Sequence, residues 1–237
     1  MIKFFRKIRQ NMIKENRTSK YLLYAIGEII LVVIGILIAL QINNWKQQQL
    51  EQQFEKKVLK EILIDTEEDI IEMDSAFFYL KESQRSAELI IDAFHKNFSY
   101  NDSLDVHFAL ALDTWSLSPN TTAFDAAKTE GLYLIKNDSI RKMVAKINGY
   151  FFDYVRVLES RWHDYNTIVV LPYILPLFDN YNFKSMKPTH YESLKNDTVY
   201  IGILQTLIAT RTRYMDWLEE RYNVLVELNR IINLELK

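Results

Sequence analysis

Cysteine is absent from this chain of 237 residues, and glycine and proline are scarce, with 5 and 4 residues respectively. The lack of cysteine excludes disulfide bonds, thiol catalysis and cysteine metal sites, but it is compatible with any compartment. Glycine and proline usually make up about 7% and 5% of a protein, so this chain has few residues suited to tight turns. The composition therefore predicts long helices with few connections.

The chain also lacks an excess of charge of one sign, with 29 basic and 31 acidic residues and a formal net charge of −2. A nucleic-acid-binding domain typically has a strongly basic face, so no nucleic-acid partner is expected. The sequence has no glycine-rich phosphate loop, and its four histidines form no recognised nucleophile or zinc motif. We therefore expect no cofactor and no enzymatic activity.

One stretch, residues 21–42, is too apolar to be exposed to water as a helix. Its 22 residues would extend about 33 Å, enough to cross a hydrocarbon core of roughly 30 Å. A signal peptide has a shorter apolar core and a small-x-small cleavage site, which the exit at residues 38–41 lacks. A buried helix of a soluble protein rarely stays apolar on every face for six turns. The stretch therefore predicts a retained transmembrane helix over residues 21–44.

The flanking charges predict the orientation of this helix. Residues 1–20 hold seven lysines and arginines against a single acid, whereas the twenty residues after the span hold four lysines among three acids. Because basic residues accumulate on the cytoplasmic side, the N-terminus should be cytoplasmic. Residues 45–237 should then be extracytoplasmic, in the periplasm if the anchor lies in the inner membrane of a Gram-negative bacterium.

Residues 1–20 have basic side chains at helical spacing, and Phe5, Ile8 and Met12 lie opposite them. This pattern is typical of a basic amphipathic helix in anionic headgroups, so the lipid bilayer is an expected partner. The alternative is that these charges only set the topology.

Three residues of the span, Glu28, Gly35 and Ala39, share one helical face. Gly35 and Ala39 form a small-xxx-small pair that allows close helix packing. An ionisable residue inside a membrane is costly and often paired, so Glu28 either pairs with a partner or extends toward the cytoplasmic interface. The face is therefore a candidate transmembrane interface, for self-association or for a partner membrane protein.

The span and its flanks also resemble a known family. Residues 19–29, 31–40 and 41–45, which read SKYLLYAIGEI, LVVIGILIAL and QINNW, are similar to the N-terminal signature of uncharacterised single-span membrane proteins of Gram-negative bacteria, a domain of unknown function. A second, looser match covers residues 128–135 around Gly131, followed by Asn137 and residues 140–141. The resemblance implies a membrane anchor followed by a mostly helical outer domain, and it implies no activity.

Beyond the span, apolar residues recur at helical spacing and predict further helices. The first continues directly from the span to a polar turn at residues 97–103. Pro172 should end a later helix, because proline lacks a donor and clashes with the preceding turn. The predicted segments are helices 45–94 and 104–117, a helix from Thr121 or Thr122 to Gly131 or Asn137, a helix 139–171 capped by Asp138, an irregular apolar segment 172–183, a short turn with Thr189 and Glu192 as capping box, and a helix 198–235 capped by Asp197.

Four carboxylates, on Asp65, Glu68, Asp69 and Glu72, share one helical side. A calcium site needs six to eight oxygen ligands, more than one helix face can supply. No pair of Glu-x-x-His motifs, as found in di-iron bundles, is present either. We therefore expect a solvated acidic face and no metal.

A run of aromatic residues follows near the middle of the chain. It could line a ligand pocket, although aromatic residues at helical spacing more often form a core. Arg156 and Arg161 could contact an anionic ligand, or they could pair with acids of a neighbouring helix or face water. The aromatic residues are Tyr150, Phe151, Phe152, Tyr154, Trp162 and Tyr165.

These patterns predict an all-α protein in which a single transmembrane helix continues into an antiparallel bundle of long helices. The expected function is interaction, scaffolding or assembly in the cell envelope. The alternatives are a ligand-sensing extracytoplasmic domain and an envelope enzyme without a recognisable motif.

Overall fold

A computed structural model describes residues 18–180, 182 and 184–237. These residues are predominantly helical and contain no strand, which confirms the all-α prediction. Two isolated antiparallel bridges, Phe178–Pro188 and Asn182–Ser185, are the β-type pairs of the described chain. Most of the predicted basic segment, residues 1–17, lies outside the described residues.

The described chain folds into a series of helical elements, of which the first and the last are the longest, with 78 and 38 residues. In chain order the elements are α1 (Thr18–His95), α2 (Leu104–Leu110), α3 (Thr122–Glu130), a 3₁₀ turn (Leu132–Leu134), α4 (Asp138–Lys146), a π turn (Ile147–Phe151), α5 (Phe152–Tyr165), a second π turn (Asn166–Val170), α6 (Leu171–Ile174), a second 3₁₀ turn (Leu175–Leu177), α7 (Tyr191–Lys195) and α8 (Thr198–Glu235).

The chain divides into two compact units, Met1–Phe54 and Glu55–Lys237. In the first unit, every residue from 29 to 50 is exposed although most of them are apolar up to residue 42. An 18-residue window of α1 has a mean hydropathy of 2.7, and none of it is buried. By length and composition, this is the one helix of the described chain that could cross a membrane.

In the second unit, the later part of α1 packs antiparallel to α8. Thr66, early in this part, hydrogen-bonds to Asn229 near the end of α8. Phe94, at the end of α1, lies with its ring 6.2 Å from that of Tyr200 near the start of α8. Since contacts at increasing positions of α1 meet decreasing positions of α8, the predicted antiparallel packing is confirmed for this pair.

The predicted helix 139–171 is interrupted. The π turns follow α4 and α5, so α4, α5 and α6 form one broken helical path. The cap is Asn137 instead of the predicted Asp138, because the Asn137 side chain accepts from the backbone N–H groups of Ser139 and Ile140. Periodicity does not reveal π turns, since each adds only one residue to a turn.

Pro172 does not end this path, contrary to the prediction. It lies in the first turn of α6, where its missing N–H is tolerated. Helical structure continues to Leu177, so the predicted irregular segment 172–183 starts later than expected. Thr189 is not a cap either, since its hydroxyl donates to the Pro176 carbonyl and α7 starts after His190.

A large part of the core lies where α2, α6 and α7 meet the end of α1 and the start of α8. Phe108 and Tyr200 are completely buried at its centre. Phe178 packs edge-on against Phe108, with the ring centroids 5.4 Å apart. This core fixes the start of α8, and the α8 residues of the candidate site follow further along the same helix.

Candidate functional site

The candidate transmembrane interface lies on the N-terminal part of α1. Apart from its two chain neighbours and the backbone of its own helical turns, no described residue lies within 4 Å of the position that a Cβ atom at Gly35 would take. Ala39 is exposed and Glu28 is half-buried. The structure thus leaves room at Gly35 for another helix, and the interface remains a prediction.

Four carboxylates of α1, which we call the acidic ladder (Asp65, Glu68, Asp69 and Glu72), hold a loop. This clamped loop, residues 117–123, leads from the stretch after α2 into the start of α3. The ladder thereby satisfies backbone donors of the loop and of the first turn of α3, where carboxylates are favoured. The hydrogen bonds are Ser118 N to Glu72 Oε1 at 2.8 Å, Asn120 N to Asp69 Oδ1 at 2.9 Å, Asn120 Nδ2 to Glu68 Oε2 at 3.3 Å and Ala123 N to Asp65 Oδ2 at 2.9 Å.

The prediction of a solvated acidic face is wrong for Asp69, which is 5% exposed. Burial raises the pKa of Asp69 to about 7, the hydrogen bond from Asn120 opposes this rise, and the neighbouring carboxylates add to it. Burial likewise raises the pKa of Asp65. Among the described residues, no group of three or more such side chains is arranged to hold a metal ion.

A cavity of about 270 Å³ lies next to the clamped loop, between α1, α5, α8 and the stretch that follows α2. Its aromatic wall is formed by five rings, and one of them, Trp217, also contacts the rings of Tyr154 and Tyr214. Tyr79 stacks on the outer side of the wall, with its ring 4.6 Å from Trp115. The five wall residues are Trp115, Tyr154, Trp162, Tyr214 and Trp217.

Arg211 is the buried cation of this cavity, with only 2% of its surface exposed. Its Nη2 donates to the carbonyl oxygens of Ala111 at 2.7 Å and Asp113 at 2.8 Å. These hydrogen bonds occupy two carbonyl oxygens just after α2, which a longer helix would use as acceptors for its next turn. The predicted helix 104–117 accordingly ends at Leu110. The Nε and Nη1 atoms of Arg211 have no hydrogen-bond partner among the described residues.

The charge of Arg211 is retained at neutral pH. Burial lowers the pKa of its guanidinium to about 10, and nearby Asp113 opposes this decrease. No described carboxylate forms an ion pair with Arg211. Two exposed arginines, Arg161 and Arg213, also line the cavity. The site therefore carries an excess of positive charge.

Glu159 is the one carboxylate of the cavity lining. It accepts a hydrogen bond from the Leu117 backbone N–H at 2.7 Å, and burial raises its pKa. The Tyr214 hydroxyl lies near Glu159 but makes no hydrogen bond of normal geometry with a described residue. The indole Nε1 of Trp115 is also buried without a partner in the described chain. Unpaired buried donors thus accumulate around this cavity.

The predicted aromatic run divides between cavity and core. Tyr154, Trp162 and Arg161 line the cavity. Phe151 and Phe152 are buried core residues, and Tyr165 packs against the core. Tyr150 is exposed and stacks on Tyr154, with the rings 6.1 Å apart. Arg156 is exposed to water, as one of the predicted alternatives had it, and it pairs with Asp153 of its own helix at 3.3 Å instead of with an acid of a neighbouring helix.

Arg211 was not predicted as a site residue, although the sequence contains a signal for it. The residue lies seven positions after Leu204 and seven before Leu218, both of which are completely buried. It therefore occupies the apolar stripe of α8. A single arginine in such a stripe indicates a buried cation that needs partners.

Comparison with known proteins places the chain in a family. No curated protein and no solved structure matches the chain. A family described as "Family of unknown function (DUF6090)" matches residues 28–166, which are 139 of the 237 residues. The match begins at Glu28 and includes residues 128–141, but the first part of the N-terminal signature lies outside it. Since more than half of the chain matches, the protein belongs to this family of unknown function.

Proposed function

We propose that the protein is a single-pass membrane protein of the cell envelope whose outer helical domain acts by binding, as an interaction, scaffold or assembly factor. The observation that carries this proposal is the exposed apolar part of α1, in which a stretch of 18 residues has a mean hydropathy of 2.7 and contains no buried residue. A helix of that composition is stable when lipid surrounds it, because water would contact apolar side chains on every face.

The ends of this helix support the same assignment. Trp45 is 61% exposed just after the apolar stretch, a position suited to the aromatic belt at a membrane interface. The basic residues before the stretch favour a cytoplasmic N-terminus and an extracytoplasmic domain. In a Gram-negative bacterium, the membrane that this helix crosses would be the inner membrane, and the outer domain would lie in the periplasm.

Binding is preferred to catalysis because the acidic side chains have structural roles. Asp65, Asp69 and Glu72 accept backbone hydrogen bonds from a loop and a helix start. Glu159 does the same for Leu117. A general acid or base would need free access to a substrate proton, which this arrangement does not favour.

Ligand sensing is a second candidate function, and the cavity around Arg211 favours it. A scaffold protein has no need of a buried cation with two unpaired donor atoms next to an open cavity. The charges, the unpaired donors and the size of that cavity are specific enough to indicate a ligand class.

In-cell crosslinking of the tagged full-length protein, followed by mass spectrometry, tests the proposed function. Gly35→Ile adds bulk at the open position of α1 and should weaken the crosslinked complexes, because small residues at such an interface let two helix backbones approach closely. Val33→Ile, on a different face, is the matched control. Loss of complexes in Gly35→Ile alone supports an interface within the membrane, and Glu28→Gln reports whether charge contributes to it.

Recovery of no specific neighbour with the wild-type protein would contradict the scaffold role. Crosslinking that is unchanged in Gly35→Ile would instead show that the interface does not lie on this face of the span. The partner would then have to contact the outer domain.

A further inference from the structure

We propose that the cavity around Arg211 binds a small organic carboxylate with an aromatic or aliphatic body. This inference goes beyond the proposed function, and it holds whether or not the protein is a scaffold. It stands on the lining of the cavity, on the unpaired donors around it and on its size.

The charges of the lining select an anion. Three arginines, Arg161, Arg211 and Arg213, line the cavity together with a single carboxylate, Glu159. An aromatic wall could also attract a cation, but these guanidinium groups would repel it at close range. An anion is therefore the ligand that the site favours electrostatically.

The unpaired donors identify where a carboxylate would be held. Arg211 uses only Nη2 in hydrogen bonds, and its Nε and Nη1 atoms are buried without a partner in the described chain. The Nε1 atom of Trp115 is in the same condition. A buried donor without an acceptor is destabilising, and a guanidinium pairs best with a planar two-oxygen group. Because these atoms are inaccessible to solvent although Arg211 lines the cavity, a carboxylate would pair with the guanidinium after a shift of a lining side chain.

The walls require that the ligand also has an apolar part. Three indole rings, those of Trp115, Trp162 and Trp217, line the cavity together with Leu80 and Leu158. Inorganic phosphate would leave these surfaces in contact with water, whereas a ring or a short alkyl chain would cover them. Ligand sites commonly combine such apolar walls with a few polar anchors.

The volume of about 270 Å³ limits the size of the ligand. An apolar cavity of about 150 Å³ is known to hold benzene, which has six carbon atoms. By proportion, this cavity holds about ten to twelve non-hydrogen atoms. That size corresponds to a phenyl-substituted or medium-chain carboxylate.

The acidic ladder helps to keep this site open. Trp115 and Ser116 form part of the lining and directly precede the clamped loop. Glu72 and Glu159 hold the next residues, Ser118 and Leu117, through their backbone N–H groups. The wall is thus fixed before a ligand arrives, which lowers the entropic cost of binding.

Intrinsic fluorescence of the full-length protein in detergent micelles tests the proposal. The chain has four tryptophans, and a Trp45→Phe background leaves only the three in the cavity wall. Titration with 3-phenylpropionate should change the emission saturably. The neutral analogue 3-phenylpropionamide has the same size, and it should bind at least about tenfold more weakly because it lacks the charge.

Two arginines of the same helix give a matched pair of variants. Arg161 lines the cavity and Arg156 does not, although both are exposed. Arg161→Gln should weaken binding of 3-phenylpropionate about two- to fivefold, as expected for an exposed charge. Arg156→Gln should leave it unchanged. Arg211→Gln should abolish most of the binding if the variant folds.

Three results would overturn the proposal. The first is the absence of saturable binding for both 3-phenylpropionate and octanoate up to about 10 mM, because a dissociation constant above that concentration is weaker than that of an ordinary ligand site. The second is equal affinity for the acid and the amide, which would indicate an apolar cavity and no anion site. The third is an equal effect of Arg156→Gln and Arg161→Gln, which would show that binding depends on the overall charge of the helix and not on a contact inside the cavity.

Discussion

Replacing Asp69 with asparagine should stabilise the folded protein at about pH 8, although it removes a charged hydrogen-bond acceptor from a buried position. Asp69 is 5% exposed, and burial raises its pKa to about 7. Its charged form is therefore destabilising in the folded state above that pH. An asparagine side chain can still accept the hydrogen bond from Asn120 N through its amide oxygen, and it carries no charge.

The size of the expected stabilisation follows from the shift in the pKa of Asp69. The pKa of Asp69 rises from 3.8 to about 7, and each unit corresponds to about 1.4 kcal/mol. The full shift would give about 4 kcal/mol at pH 8. Because the asparagine amide also brings a buried NH₂ group that needs acceptors, we expect about 2 kcal/mol for Asp69→Asn. For a chain of this length, that is an increase of about 4 to 8 °C in Tm.

The dependence on pH has a definite sign. The folded-state pKa of Asp69 lies above its unfolded value, so between about pH 4 and pH 7 the folded protein binds the proton more tightly. The free energy of unfolding of the wild type should therefore decrease as the pH rises through this range and level off above it. Asp65 and Glu159, whose pKa values are also raised, contribute with the same sign.

Thermal unfolding of the full-length protein, followed by circular dichroism at several pH values from about 5 to 8, measures this dependence. Glu67→Gln is the matched control, because Glu67 is an exposed acid on the same helix. The difference in Tm between Asp69→Asn and wild type should grow with pH, whereas Glu67→Gln should parallel the wild type. A constant difference for Asp69→Asn at every pH would refute the reasoning, since it would show that Asp69 does not titrate in this range.

Three further substitutions test the fold through the urea midpoint of unfolding. Gly131→Ala should destabilise by about 1 to 3 kcal/mol, because Gly131 has φ +118° and a Cβ there would clash with the ring of Tyr133. Leu225→Ala should cost about 2 to 5 kcal/mol, since Leu225 is completely buried in α8. Asp197→Ala should cost about 1 kcal/mol, because Asp197 caps α8 through the N–H groups of Val199 and Tyr200. An unchanged midpoint in any of the three would contradict the corresponding contact.

The long helices could be predicted because their signals are local. The apolar periodicity of α1 and α8, the Asp197 cap and the end of α3 at Gly131 all appear in the structure near the expected positions. The interruptions between α4 and α6 could not be predicted, because a π turn leaves almost the same apolar pattern. The early end of α2 depends on Arg211, which is about one hundred residues away in sequence.

The candidate site was only partly predictable for the same reason. The spacing of Asp65 and Asp69 shows that they share a helical side, but it does not show that a loop from residues 117–123 covers them. The distance in sequence between these partners is more than fifty residues. Side-chain periodicity reports which residues share a face, whereas the identity of the group opposite that face is a property of the tertiary fold.

Topology reporters test the membrane anchor most directly. A reporter that is active only in the periplasm should be active when fused after Lys237 and silent when fused to the N-terminus. This result is expected because the excess of lysine and arginine precedes the exposed apolar part of α1. The opposite pattern would contradict the proposed orientation, and a soluble full-length fusion would contradict the anchor itself.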